Sequence, residues 1–95
     1  MTTDQIFILT CDALNIDVYQ AMKKCRKREY TEARQLAMYF GKKLTKDSLS
    51  KIAWTIGHKE HATVLHAIKK VHNLRDTNDK EFIIKYKKVK KELGL

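Results

Sequence analysis

A chain of 95 residues and 11.2 kDa makes one small domain spanning 1–95, with a modest core. Twenty Lys and Arg against eleven Asp and Glu give +9, and no apolar run approaches the roughly 20 residues of a membrane span. With no proline and only Gly41, Gly57 and Gly94, the chain lacks the turn residues of a β-sandwich or barrel, and the glycine-rich loop that cradles nucleotide phosphates.

The periodicity is helical throughout. Thr2 and Gln5 form a capping box for a first helix to about Leu14, with Ile6, Leu9 and Ala13 on one face. Asp17 and Gln20 cap a short helix near Val18–Met22. A basic loop follows, and Thr31 reads as the N-cap of a helix to about Leu44, with Ala33, Ala37, Phe40 and Leu44 in register. Ser48 caps another short helix that turns Leu49, Ile52, Ala53 and Ile56 inward and ends at Gly57.

The next helix runs from about His61 to Leu74. Val64, Ala67, Ile68, Val71 and Leu74 form its apolar stripe, with Ala62, His66, Lys69 and Asn73 opposite. Asn78 and Glu81 resemble a capping pair for a last helix, lined inside by Phe82, Tyr86, Val89 and Leu93 and closed by Gly94. Its lysines Lys85, Lys87, Lys88, Lys90 and Lys91 read mostly as a solvated face.

Cys11 sits in an apolar run and reads as a small core hydrophobe. Cys25 lies among cations that would lower its pKa. No export leader opens the sequence, so secretion and a disulfide are not expected and a cytoplasmic setting is. His61 and His66 would splay by about 140° on a helix. Cys11 and Cys25 lie too far apart to form a zinc-finger cysteine pair alongside His58, His61, His66 and His72, so no metal or other cofactor is expected.

The charge is uneven. Residues 1–22 carry only Asp4, Asp12 and Asp17, whereas residues 23–46 carry nine cations against Glu29 and Glu32. The excess centres on Lys23-Lys24-Cys25-Arg26-Lys27-Arg28, the loop before the central helix. A short helix, a turn containing Gly57 and a longer helix is the layout of a helix-turn-helix, although a plain helical hairpin shares it. The basic balance favours the first, because cations that neutralise phosphates release counterions.

The residues also carry a resemblance. Ala33-Arg34-Gln35-Leu36-Ala37-Met38-Tyr39-Phe40, then Leu49-Ser50-Lys51-Ile52, then Lys59-Glu60-His61-Ala62-Thr63-Val64-Leu65-His66-Ala67 resemble the C-terminal DNA-binding domain of bacterial DnaA replication initiators, from Asp4 to about Leu93. The resemblance implies an all-α, Trp-repressor-like bundle of about six helices, with a basic loop before a helix-turn-helix. It implies double-stranded DNA as the partner, with no membrane and no nucleotide bound by this chain. Arg26 matches the family's basic-loop arginine, which enters the minor groove. Arg34, Gln35, Lys42, Thr45 and Thr63 match phosphate-holding positions, and Lys59, Glu60, His61 and Ala62 match the base-reading turn and helix start. On the residues alone, Arg34 also reads as a surface salt bridge to Glu32 or Asp17, and His66 as helix packing or plain exposure.

Three positions depart from the family's signature. Glu60 stands for Asp and reaches one methylene further; Lys59 stands for Arg and lacks the fork that grips guanine; Ala62 stands for Thr and offers only a short methyl. Trp54 falls on the outward side of its helix, as a partner contact or partly packed under a loop. The reading is a non-enzymatic, sequence-specific DNA-binding domain of the kind that recognises replication origins. The alternatives are a stand-alone repressor or competitor at initiator sites, or a protein-interaction module using Trp54 and the lysine-rich last helix. No nucleophile–base pair argues for an enzyme, and no stacked-aromatic sheet motif argues for RNA.

Overall fold

In the computed structural model, which describes residues 1–23, 26–57 and 60–95, every regular element among the described residues is helical. In chain order they are α1 (Thr3–Ala13), α2 (Val18–Met22), α3 (Arg28–Leu44), α4 (Leu49–Thr55), α5 (Ala62–Asp76) and α6 (Lys80–Glu92). The 17-residue α3 is about 26 Å long at 1.5 Å per residue. That length matches a molecule of 30 × 27 × 23 Å, so α3 crosses it and touches all five other helices. Its most extensive packing is on α1 and α5.

Three N-termini form as their sequences predict. The Thr2 hydroxyl accepts from the Gln5 amide at 3.2 Å while Gln5 Oε1 accepts from the Thr2 amide at 2.9 Å, a complete capping box. Asp17 accepts from the Tyr19 amide at 2.8 Å, and Ser48 from the Lys51 amide at 3.1 Å.

Two predicted caps are displaced. α3 starts at Arg28, not after Thr31, and its N-cap Lys27 makes no side-chain cap bond. Arg28 and Glu29 form helix readily, and Arg28 pairs with Glu32 one turn on at 3.1 Å, so the helix extends backwards without a capping hydroxyl. Thr31 instead accepts from Arg34 inside the helix, at 3.3 Å. At α6 the cap is Asp79, which accepts from the Phe82 amide at 2.9 Å. Asn78 sits at φ 57°, closing the preceding turn in a conformation asparagine tolerates. α5 opens at Ala62, with His61 before it making no cap bond.

Two apolar clusters flank α3. One gathers Phe7, Cys11, Ala37, Met38, Ile52, Ile56 and Val64; the other gathers Ile6, Leu36, Phe40, Val71, Phe82, Tyr86 and Val89. Ile68 of α5 packs against both, so α5 is wedged into the core from its inner side. Cys11 is buried as its neighbours suggest, and burial, aided by Asp17, pushes its thiol up to about 11. Cys25 lies outside the described residues. The solvated lysine face of α6 has one exception: Lys85 is turned inward onto the buried Glu32 at 2.9 Å.

Gly57 follows α4 at φ 90°, a region L side chains rarely adopt. A Cβ there would stand 2.9 Å from the carbonyl oxygen of Met22, so the turn between α4 and α5 is seated on the end of α2. Gly57→Ala should therefore destabilise the domain by about 1–3 kcal/mol, both strain and clash acting together. Chemical denaturation measures this directly; an unchanged midpoint would mean that the close approach is not fixed.

Candidate nucleic-acid interface

α3 and α5 lie side by side with a groove of about 300 Å³ between their outer edges. Thr31, Arg34, Gln35 and Met38 line it from α3, and Thr63, His66, Ala67 and Lys70 from α5. Both sets follow the spacing i, i+3, i+4, i+7, which is one stripe of a helix, so the groove is built from two facing stripes. A second groove of about 390 Å³ shares Thr31, Gln35 and Lys70 and adds Arg26, Arg28, Glu32, Leu74 and Asp79. The two join into one trough running from the first turns of α5 to the base of the basic loop.

Arg34 is 8 % exposed and is not the surface salt bridge that its sequence also allowed. It donates to the carbonyl oxygens of Ala21 at 2.8 Å and Lys23 at 3.1 Å, at the end of α2. Gln35 is half-buried and lines both grooves, and Thr63 is half-buried in the first. Arg26 is exposed on the second. Lys42 is exposed seven residues beyond Gln35, which puts it within about 20° of the same line on α3, two turns further on. Thr45 is half-buried at the C-cap, donating to the Gly41 carbonyl at 2.6 Å and accepting from the Asp47 amide at 3.1 Å.

Glu60 and His61 are exposed where α5 begins, and Ala62 is half-buried in its first turn. Lys59 lies outside the described residues. His66 is exposed and lines the groove. Trp54 is 72 % exposed on α4 and so is not covered by a loop.

Lys70 is the groove residue that the sequence reading missed. It stands four residues after His66 and seven after Thr63, a spacing that could have found it. The apolar stripe drew attention to Lys69 instead, directly opposite the core. The electrostatics of the trough favour an anion. Arg26, Arg34 and Lys70 line it, while its carboxylates Glu32 and Asp79 are both engaged by Arg28. Among the described residues no cluster of three His, Cys, Asp or Glu side chains is arranged to hold a metal, and no helix is long and apolar enough to cross a membrane.

The family model described as the bacterial dnaA protein helix-turn-helix matches residues 3–71. The chain belongs to that DnaA family. It is 43 % identical over 95 residues to the chromosomal replication initiator protein DnaA of Flavobacterium psychrophilum, covering all of this chain and 20 % of that protein. Against the DnaA of Bacteroides thetaiotaomicron the identity is 44 % over 82 residues, 86 % of this chain and 17 % of the relative. Against that of Wolbachia pipientis wMel it is 39 % over 80 residues, 84 % and 17 %. The chain thus spans about a fifth of the curated relatives it matches. The DnaA helix-turn-helix is a DNA-binding module and not a catalytic one. Within it, α4, the Gly57 turn and α5 form the helix-turn-helix, and the trough lies between α5 and the helix that carries the basic loop.

Asp79 joins the trough to the stability of this DnaA domain. The Phe82 amide, and then Arg28, hold its carboxyl below the usual aspartate range; the Thr3 hydroxyl, with Lys51, does the same for Asp47. A depressed folded pKa stabilises the fold above the unfolded value of about 3.9 and ceases to do so as pH falls through the folded value. Stability should therefore hold to about pH 4 and fall below it. Asp79→Asn, which keeps a capping side chain, should flatten that acid limb in urea melts taken between pH 2 and 6; an unaltered limb would discount the contact.

Proposed function

We propose that this DnaA-family domain binds double-stranded DNA sequence-specifically, with the start of α5 in the major groove and Arg26 in the minor groove. The observation that carries this reading is the trough, where two facing helical stripes bring Arg34, Gln35, Thr63 and Lys70 together beside Arg26. The exposed Glu60 and His61 and the half-buried Ala62 at the opening of α5 supply base readers on the side that a helix presents to a groove about 12 Å wide. Arg34, Gln35, Lys42, Thr45 and Thr63 hold phosphates, and Lys70 joins them. Lys59 completes the reading set from the segment before α5.

The work is recognition of replication-origin sites of the DnaA-box kind, in the cytoplasm, without a cofactor or nucleotide bound by this chain. The DnaA relatives are named as chromosomal replication initiators, which supports an origin role over a stand-alone repressor or competitor.

Each class of contact has its own signature. Arg26→Ala should weaken binding to the preferred duplex by about 1–3 kcal/mol and leave a scrambled duplex less affected. Lys70→Ala should weaken both equally and lower the slope of log K against log salt by about 0.9. Anisotropy titrations over a salt series distinguish the two, and a wild-type slope near zero would refute DNA binding altogether.

The departures at α5 make a further expectation. Glu60 and Ala62 leave a DnaA-box base edge less well filled than Asp and Thr would. Restoring both, as Glu60→Asp with Ala62→Thr, should shift selectivity toward that box by about 1–3 kcal/mol. Competition against a scrambled duplex reads this out, and no shift would make the departures neutral.

A further inference from the structure

The wall of the trough contains a buried carboxylate in a domain of +9. Glu32 is 3 % exposed and lines the groove with Arg26, Gln35 and Lys70. Its Oε1 accepts from Arg28 Nε at 3.1 Å and from Lys85 Nζ at 2.9 Å, while Oε2 is buried without a hydrogen-bond partner among the described residues. Arg28 also reaches Asp79 at 3.3 Å and Glu81 at 3.4 Å. Three carboxylates and two cations, from the starts of α3 and α6, thus form one connected ion cluster.

This arrangement does two things to the basic loop. Arg28 is the last cation of the run that begins at Lys23, and its side chain is 55 % exposed, within reach of solvent and of any approaching phosphate. Three carboxylates surround it and raise its pKa, Glu32 foremost. A phosphate that drew Arg28 away would strip one of two partners from a buried charge, which is strongly unfavourable, so the pair resists the exchange. The same contacts fix the residue two positions after Arg26. A loop with a fixed base loses less conformational freedom when its arginine enters a groove. Arbitrary duplex is held by whatever cations can reach phosphates, whereas a specific site needs a few cations in fixed places.

We propose that Glu32 is a specificity-determining residue of the DNA interface: it withholds Arg28 from phosphates and anchors the base of the basic loop, lowering affinity for arbitrary DNA relative to the preferred site. This rests on the DNA-binding reading above. Glu32 touches no base in this scheme; it acts through Arg28.

The test uses Glu32→Gln, which keeps the size and an acceptor oxygen but removes the charge. The probes are the tightest duplex that the unmodified domain selects from a random pool and a scrambled version of it, titrated by anisotropy across a salt series. With the charge gone Arg28 loses its nearest carboxylate and adds one phosphate contact, while Lys85 keeps Glu81 at 3.9 Å, so the variant should bind the scrambled duplex roughly fivefold to tenfold tighter at 0.1 M salt, with a slope steeper by about 0.9. The selected duplex should gain less, so the specificity ratio falls. Arg28→Gln supplies a second reading that does not depend on the first variant folding. Arg28 is held off the phosphates, so its loss should leave the salt slope on the scrambled duplex unchanged. Equal gains on both duplexes, unchanged affinities, equal losses on both, or a slope reduced by about 0.9 in Arg28→Gln would each overturn the proposal. A wild-type domain that binds neither duplex with salt-dependent affinity would instead remove the DNA reading on which it rests.

Discussion

Arg34 carries a permanent charge into a position that is almost wholly buried, and the carbonyl oxygens of Ala21 and Lys23 are what make that tolerable. Those carbonyls lie at the end of α2, where a five-residue helix has acceptors left over from its own ladder. The exchange satisfies both sides: orphan acceptors receive charge-assisted donors, and the guanidinium is desolvated without being left unpaired. Geometry follows from it. With α2 tied to α3, the Met22 carbonyl is held where only a glycine can pass, and Gly57 seats the turn between α4 and α5 there. The start of α5, the part proposed to read bases, thus takes its place from a contact on the far side of the turn.

The two faces of α3 divide the labour. Its inner face, with Leu36, Ala37 and Phe40, is shared between two apolar clusters and gives the domain its rigidity. Its outer edge, with Thr31, Arg34, Gln35 and Met38, makes half the trough. α5 is divided the same way, Val64 and Val71 inward and Thr63, His66 and Lys70 along the groove. Because both helices serve core and site at once, the trough's width is set by the packing beneath it and not by loop conformation. Around this rigid pair the charge is apportioned: cations line the trough, and the acidic groups beside it are tied up by Arg28 and Lys85.

Much of this was legible in the sequence because it rests on local rules. The capping box at Thr2, the caps at Asp17 and Ser48, the glycine after α4 and the inward stripes of all the longer helices depend on residues within a turn of one another. The start of α3 was not legible, because Thr31 is a better capping residue than Lys27 and the pairing of Arg28 with Glu32 outweighs that preference. Asn78 and Asp79 look alike as caps in the sequence, since the left-handed turn that Asn78 closes cannot be told from a cap by composition. The burial of Arg34 and Glu32 is not legible, because nothing local announces the carbonyls at the end of α2 that hold Arg34 or the Lys85 of α6 that reaches Glu32. Lys85 was counted with its solvated neighbours for the same reason. Lys70 was passed over because a groove is a property of two helices, and one helix wheel shows only half of it.

The central claim is that the α3–α5 trough and the opening of α5 form the surface that meets duplex DNA. Amide chemical-shift perturbation, with a selected short duplex titrated into the labelled domain, tests it most directly. The account predicts shifts concentrated at Arg26, Thr31–Met38 and Glu60–Lys70, with α1 around Ile8 and the outer face of α6 around Ile84 and Lys88 unmoved. Shifts concentrated on α1 and α6, with the trough unperturbed, would contradict it.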